Sequence, residues 1–368
     1  MNVIVLVIGK NTFTDGNFDF KRLSVLLSDR DYEITRIRCA ENAEEITDII
    51  AESDEDDMIV AVGDTVYLAE ALDKNEPGEK LPDYFSAGER TFVVMPAFDE
   101  RKVKEVVIPL LNIRSKKCFN TVIFRTFGRT EEELRELLRD QMRNRNKIMF
   151  DFYPDGEECA VRVRYSRSTS SSAVNDTVNA VGDLLADCLY ALKDITLAES
   201  TAELLLASGA KLSVAESFTG GGVASALIAT PGMSACLRES IVAYSDHAKK
   251  KRLGVSSDVL EKLGAVSADC AFEMASGLLN DPECDIAVAT TGNAGPTAER
   301  DGTVGLYYIA VGDRNAVHVF EHYYMPEDAS ELSGSELRRR ITRSGIETAL
   351  FELGKYLKNS KGANNGQG

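Results

Sequence analysis

The chain has 368 residues, of which 44% are hydrophobic, and this length predicts two or three domains with sizeable cores. A net charge of −17 argues against binding to DNA, RNA or an anionic membrane surface. Seven cysteines without a CxxC pair and only three histidines argue against a disulfide framework or a structural zinc site, and favour the cytoplasm. No apolar run approaches the roughly 18 residues of a membrane span, so we expect no contact with a membrane.

The first 115 residues alternate between strand and helix patterns. Continuous apolar runs predict strands, and amphipathic runs predict helices. The predicted strands are 2–8, 32–38, 57–62 and 91–95, and the predicted helices are 18–28, 43–51 and 99–111. Because strands and helices alternate, we predict a doubly wound parallel sheet with helices on both faces.

Residues 116–192 differ in character and predict a small α+β middle domain. FNTVIFRTFG is a strand pattern, RTEEELRELLRDQM is an amphipathic helix, and Asp155-Gly156 separates two further strands as a hairpin turn. The Ser/Thr-rich stretch 166–177 has few apolar residues and predicts a flexible loop, followed by a helix over 178–192.

A third, α/β domain is predicted over 193–360, followed by a disordered tail over 361–368. Its central segment begins with the strand KLSVA, the turn ESFT and a helix opened by Gly220, Gly221 and Gly222. A strand that runs through such a turn into a helix presents backbone N–H groups and a positive dipole end. The turn is therefore a candidate site for an anion or an oxyanion.

The side chains of the turn and of the helix that follows allow two interpretations each. Ser217 is a candidate nucleophile or an N-cap of the following helix. Lys249 is a candidate base, but the KKKR run in which it stands is also typical of a solvated helix face. Tyr244 is either a proton relay or a tyrosine at the rim of the core. Glu216 is either a residue that orients the lysine or a solvated carboxylate of the turn.

A second loop follows another predicted strand. It contains five small or polar residues, namely Thr291, Gly292, Asn293, Ala294 and Gly295. Such residues let backbone N–H groups face a phosphate, although an ordinary turn has the same composition. Arg338, near the start of the last helix, reaches the phosphate or lies exposed.

Six blocks of this third domain resemble the C-terminal domain of the CinA (competence/damage-inducible) family. They are AES.TGG from Ala215, PG.S from Pro231, VAYS..AK...LGV from Val242, GAVS from Gly264, TG.AGP from Thr291 and VGLYYIAV from Val304. The resemblance implies a cytoplasmic amidase that converts nicotinamide mononucleotide to nicotinic acid mononucleotide and ammonia, without a metal or cofactor. It implies Ser217 as nucleophile, Lys249 as base assisted by Tyr244, and the amides of Thr219 and Gly220 as oxyanion donors.

The resemblance extends to the other domains and to the partners. The first domain resembles the family's molybdopterin-binding type, and TFGRTEEELRELL resembles its middle domain. We expect a pyridine nucleotide as the small-molecule ligand, no nucleic acid, and a homo-oligomer such as a dimer.

The chain also departs from the family pattern. The segment AVGDTVY, residues 61–67, has one glycine where a phosphate loop needs several. This composition argues against nucleotide pyrophosphatase activity and a divalent cation in the first domain. Phe218 replaces a common cysteine, and Thr297-Ala298 replaces glycines. The alternative function is therefore a non-catalytic, nucleotide-binding regulatory protein.

Overall fold

The structure is a computed structural model with an α/β fold. It describes residues 3–9, 12, 18–28, 30, 32, 34–54, 57–75, 79–80, 84–87, 90–114, 119–143, 148–166, 169–297 and 302–364. The chain forms two compact units. The first comprises Met1–Val122, Asp140–Asp151 and Arg162–Asn179, and the second comprises Ile123–Arg139, Phe152–Val161 and Ala180–Gly368.

The first unit contains a sheet of six strands. The strands are β1 (Val3–Ile8), β2 (Ile34–Ala40), β3 (Met58–Gly63), β4 (Glu79–Lys80), β5 (Phe85–Ala87) and β6 (Arg90–Met95). Their order is β2-β1-β3-β6-β5-β4. The first four are parallel, and β5 and β4 continue the sheet as antiparallel strands.

Helices cover both faces of this parallel sheet, which confirms the doubly wound prediction. They are α1 (Phe20–Ser28), α2 (Ala43–Ala51), α3 (Thr65–Asn75), α4 (Glu100–Lys102), the π-helical Val103–Val107 and α5 (Ile108–Arg114). Successive residues of β1 point to opposite faces of the sheet and are buried on both. Val5 packs in the core that contains α1 and α5, whereas Leu6 packs in the core that contains α2 and α3. Sequence analysis missed α3, β4 and β5.

The end of β3 is closely packed and is followed by a carboxylate. A Cβ on Gly63 would lie 2.1 Å from the carbonyl oxygen of Ile8, so the backbone is already closely packed. The Asp64 carboxylate accepts the Val66 N–H at 3.0 Å, at the start of α3. A carboxylate at this helix N-terminus repels a phosphate, which agrees with the interpretation of the loop as degenerate.

A second sheet has four strands and lies in the middle of the chain. It consists of β7 (Phe119–Phe127), β8 (Ile148–Asp155), β9 (Glu158–Ser166) and β10 (Leu189–Ala191), in the order β10-β7-β9-β8. The helices of this region are α6 (Glu131–Leu137), α7 (Arg139–Met142) and α8 (Ser171–Leu184). The α+β composition matches the prediction, whereas the proposed domain boundaries at 115 and 192 stay a prediction.

The Ser-rich stretch contradicts the predicted loop, because most of it is helical. Helix α8 begins at Ser171, and the Ser170 hydroxyl accepts the Ala173 N–H at 3.3 Å. Val174, Thr177 and Val181 are buried at helical spacing, and this stripe outweighs the polar composition. The predicted helix over 178–192 is also wrong at its end, where the chain turns into β10.

The second unit is built around a five-stranded mixed sheet. Its strands are β11 (Leu212–Glu216), β12 (Leu237–Val242), β13 (Ile286–Gly292), β14 (Leu306–Gly312) and β15 (Val317–Tyr323), in the order β12-β11-β13-β14-β15. β12, β11 and β13 are parallel, and β14 and β15 are antiparallel. The parallel pairs bring the carboxyl ends of β11, β12 and β13 to the same edge.

Two layers of helices enclose this sheet. They are α9 (Leu197–Ser208), α10 (Gly222–Ile228), α11 (Asp246–Leu253), α12 (Ser257–Lys262), α13 (Ala268–Leu279) and α14 (Gly334–Asn364). One core joins the sheet to α9, α10 and α14, and the other joins it to α11, α12 and α13. Sequence analysis missed α12 and α13.

Helix α14 extends beyond residue 360, where the predicted third domain ends. It continues to Asn364, whereas residues 365–368 lie outside the described residues, so the predicted disordered tail stays a prediction. No proline or glycine cap interrupts the run before Lys361, and each added residue gains one backbone hydrogen bond. Among the helices of the described ranges, none is long and apolar enough to cross a membrane.

Candidate active site

The predicted nucleophile and base are in contact. Lys249 Nζ donates to Ser217 Oγ at 3.0 Å, although 32 positions separate the two residues in the chain. Only 7% of Ser217 and 2% of Lys249 are exposed. A lysine is almost never this buried without a partner, so the fold is built to hold its amine against the hydroxyl.

Helix α11 explains why Lys249 is the buried member of the KKKR run. The Ser245 hydroxyl caps the helix by accepting the Ala248 N–H at 3.2 Å, which places Lys249 one turn after the cap. Lys249 and Leu253 are buried on one face, four residues apart. Lys250, Lys251 and Arg252 are exposed, as predicted.

Ser217 does not act as the helix cap that was its alternative interpretation. The N-cap of α10 is Gly221, four residues later, with a φ of 97° that favours glycine. The Ser217 N–H donates to the Thr290 carbonyl at 3.0 Å, which fixes the turn to the neighbouring strand β13. The hydroxyl of Ser217 is therefore held at the edge of the sheet by its own backbone.

Glu216 has a different role from the predicted one of orienting Lys249. Its carboxylate is fully buried and accepts the N–H groups of Gly221, Val223 and Ala224 at 2.9, 3.1 and 3.0 Å. A carboxylate in this position satisfies the free donors of the first helical turn and complements the helix dipole. Glu216 therefore anchors α10 to the strand that ends at Ser217.

The turn amides are only partly available to a ligand. The Gly220 N–H donates to the Ser217 carbonyl at 3.2 Å, and the Gly221 N–H is taken by Glu216, which differs from their predicted role as donors to a ligand. Within the described chain no acceptor is found for the Thr219 N–H, which stays a candidate oxyanion donor. The Thr219 and Thr290 hydroxyls are 2.6 Å apart, and this contact holds the turn in place.

The second loop is closed mainly by contacts within the protein. The Asn293 side chain accepts the Gly295 N–H at 3.1 Å, so this amide does not face a ligand as predicted. Thr291 Oγ1 donates to the Ala265 carbonyl at 2.5 Å, and Ala294 is buried. Gly292 is required for close packing, because a Cβ there would lie 2.4 Å from the Tyr307 Cβ.

Arg338 and Tyr244 join this second loop to α14 and to the segment after β12. Arg338 donates to the Gly295 carbonyl at 2.6 Å and to the Tyr244 hydroxyl at 2.7 Å. Tyr244 is 61% exposed, so it is neither a core residue nor enclosed near the buried amine. The guanidinium and the phenol instead form part of an open rim.

Phe218, the departure from the family pattern, is a core residue. Its ring packs against Tyr307 with centroids 5.4 Å apart. A Cβ on Gly345 would lie 2.2 Å from the ring, so glycine in α14 makes room for phenylalanine. The substitution therefore changes packing behind the turn, and it leaves the Ser217–Lys249 contact in place.

A cleft of about 890 Å³ lies beside the turn, within the second unit. Phe218, Thr219 and Gly220 line it on the turn side, whereas Ser217 and Lys249 are not among its lining residues. One face of α14 forms a long wall, with Ser335, Arg338, Arg339, Thr342, Arg343, Ile346, Glu347 and Leu350. The spacing of three and four residues was a signal that sequence analysis missed.

Two carboxylates also line the cleft and were not predicted. Glu158 comes from β9, and Glu347 pairs with Arg343 at 2.6 Å. Burial raises the pKa of Glu347 to about 7, despite the opposing effect of Arg343. Within the described ranges, no group of three or more His, Cys, Asp or Glu side chains could hold a metal ion.

Comparison with known proteins identifies the domain around this site. The family model of the CinA C-terminal domain matches residues 194–352. A competence-damage inducible protein of Caldicellulosiruptor saccharolyticus is 33% identical over 272 residues, which are 73% of this chain and 62% of the relative. A second from Acetivibrio thermocellus is 30% identical, again with 62% of its length covered, so the chain spans about three fifths of these relatives.

Solved structures match a smaller share of the chain than these curated relatives do. A CinA superfamily protein of Klebsiella pneumoniae 700603 is 31% identical, with 44% of this chain and 96% of that chain covered and a TM-score of 0.40. A competence/damage inducible protein of Agrobacterium tumefaciens is 34% identical, with 43% and 96% covered and a TM-score of 0.37. Residues 194–352 of the chain are thus similar to the CinA C-terminal domain, and the curated relatives that match the chain bear the competence-damage inducible name.

Proposed function

We propose that the protein is a nicotinamide-nucleotide amidase that hydrolyses nicotinamide mononucleotide to nicotinic acid mononucleotide and ammonia. The observation that carries the proposal is the 3.0 Å contact between two buried groups, Lys249 Nζ and Ser217 Oγ. The CinA C-terminal match, which covers both residues, supports this assignment. A hydroxyl beside an amine suits acyl transfer, because the amine accepts the proton as the oxygen attacks.

The reaction proceeds in two halves on this pair. Neutral Lys249 takes the Ser217 proton while Oγ bonds to the carboxamide carbon, and the Thr219 N–H is the candidate donor to the oxyanion. The ammonium form of Lys249 then returns the proton to the leaving nitrogen, which departs as ammonia and leaves an acyl-enzyme. Water attacks the ester with Lys249 as base again, so that one amide and one water become one carboxylic acid and one ammonia.

Replacement of either residue tests the proposal. Ser217→Ala should abolish ammonia release and leave nicotinamide mononucleotide binding within a few-fold, because the hydroxyl is needed for bond making. Lys249→Met keeps the apolar stem and should lower kcat by roughly 10²-fold or more. The matched control is Lys250→Met, one residue further on the exposed face, which should keep full activity. Equal activity of Lys249→Met and the unmodified protein would contradict the mechanism.

One observation favours the alternative, a nucleotide-binding regulatory protein without turnover. The 890 Å³ cleft is not lined by Ser217 or Lys249, so a ligand can occupy it without touching either side chain. Calorimetry with nicotinamide mononucleotide and an ammonia assay on the same sample separate the two functions. Tight binding without ammonia, unchanged in Ser217→Ala, would support the regulatory protein.

A further inference from the structure

The cleft changes the sign of its charge along its length. Arg338 and Glu347 both lie on the α14 wall, nine residues apart, which is about 14 Å along a helix. Arg338 and its neighbour Arg339 make the end near Tyr244 cationic. The other end contains the carboxylates of Glu347 and Glu158, with Arg343 between the two ends.

Glu158 is held rigidly at this second end. Its Oε2 accepts from Arg125 at 2.8 Å and from the Tyr190 hydroxyl, and 11% of the side chain is exposed. Arg125 also donates to the Tyr190 hydroxyl at 2.8 Å and lies 3.8 Å from the Asp194 carboxylate. A carboxylate with two fixed donors on one oxygen cannot turn away from an approaching anion.

Glu158 lies outside the residues that the family model matches, 194–352. The second sheet therefore contributes a charged wall to the cleft beside the turn, through β9. The second wall residue, Glu347, is near enough for the negative charge of Glu158 to contribute to its raised pKa, after the larger effect of burial. The two carboxylates thus act on the same region of the cleft.

We propose that Glu158 is a specificity-determining residue that makes the cleft discriminate against ligands with a second phosphate group. The inference rests on the proposed function, since it narrows the substrate to nucleotides with one phosphate, bound toward the cationic end. A second phosphate extends the anionic charge toward Glu158, and toward Glu347 where the pH lies above the pKa of about 7 of that carboxyl. Each added negative charge is then repelled in a partly desolvated cleft, where charges are screened less than in water.

The test is direct binding of two probes, inorganic phosphate and inorganic pyrophosphate, measured by calorimetry on the full chain. Glu158→Gln keeps an acceptor oxygen for Arg125, and it should improve pyrophosphate binding at least roughly threefold more than phosphate binding. The control, Glu203→Gln, removes the same charge from the exposed face of α9 and should leave the ratio of the two affinities unchanged. Glu347→Gln, at the same end of the cleft, should act in the same direction and replaces Glu158→Gln if that variant fails to fold.

Three outcomes would overturn the inference. They are an unchanged ratio in both cleft variants, an equal change in Glu203→Gln, and no pyrophosphate binding by any of the proteins at millimolar concentration. Failure of the proposed function shows separately, as the absence of ammonia release from nicotinamide mononucleotide by the unmodified protein. The probes contain no amide, so their binding does not depend on catalysis.

Discussion

Glu216 should be the most sensitive single position of the turn that carries Ser217. Its Oε2 accepts two N–H groups, from Gly221 and Val223, and its Oε1 accepts the Ala224 N–H and, at 3.4 Å, the Ser240 hydroxyl. Glu216→Gln has nearly the same shape but turns one oxygen into an NH₂ group. That group must face at least one backbone N–H, donor against donor.

The expected cost follows from these contacts. A hydrogen bond to a charged group is worth about 1.5–3 kcal/mol, and a buried donor without an acceptor costs a further 1–3 kcal/mol or so. We therefore expect Glu216→Gln to lower the free energy of local opening of α10 by about 3 kcal/mol or more. Since about 1.4 kcal/mol corresponds to a factor of ten, amide hydrogens at the start of α10 should exchange about a hundredfold faster.

Hydrogen exchange with mass spectrometry on peptides that cover residues 216–228 is the assay. The control is Glu239→Gln, which removes the same charge from an exposed position on β12 and should change stability by no more than about 0.5 kcal/mol. Unchanged exchange in Glu216→Gln would refute the capping role and would return Glu216 to the predicted role of orienting Lys249.

Two further predictions concern α14. Burial raises the folded-state pKa of Glu347 from its ordinary 4.5 to about 7. The contribution of this carboxyl to the free energy of unfolding is therefore fully present below about pH 4.5. This contribution, about 3 kcal/mol at most, is lost as the pH rises to 7. Glu347→Gln should flatten this part of the profile in urea unfolding at pH 5 and pH 8, and an unchanged profile would contradict the assignment. Gly345→Ala places a Cβ 2.2 Å from the Phe218 ring and should lower the free energy of urea unfolding by about 1–3 kcal/mol. The control is Gly182→Ala, where the nearest atom to the added Cβ is 4.0 Å away, and this change should be neutral or stabilising. Equal stability of the two alanine variants would show that Phe218 is free to move.

The local pattern of the chain determined the strand–turn–helix units. The apolar run before Ser217 predicts a strand, and the glycines after it predict a turn into a helix. The first 115 residues likewise show alternating strand and helix patterns, each of which lies within a single segment. The carboxyl ends of three strands meet at one edge, because parallel pairing of β11 with β12 and β13 leaves no other arrangement of their ends. Composition misled the prediction of α8, where polar residues form a helix, because burial of the stripe Val174, Thr177 and Val181 decides that segment.

Tertiary structure decided the partner of each polar group. Four basic residues in a row look alike in sequence, and only the cap at Ser245 and the packing of α11 turn Lys249 toward Ser217. A buried carboxylate such as Glu216 takes whichever donors the fold leaves unsatisfied, and here those are the first amides of α10. Glu158 lines the cleft from a strand that precedes the matched domain. No local sequence pattern predicts this position, because contacts between distant segments arise only when the whole chain has packed.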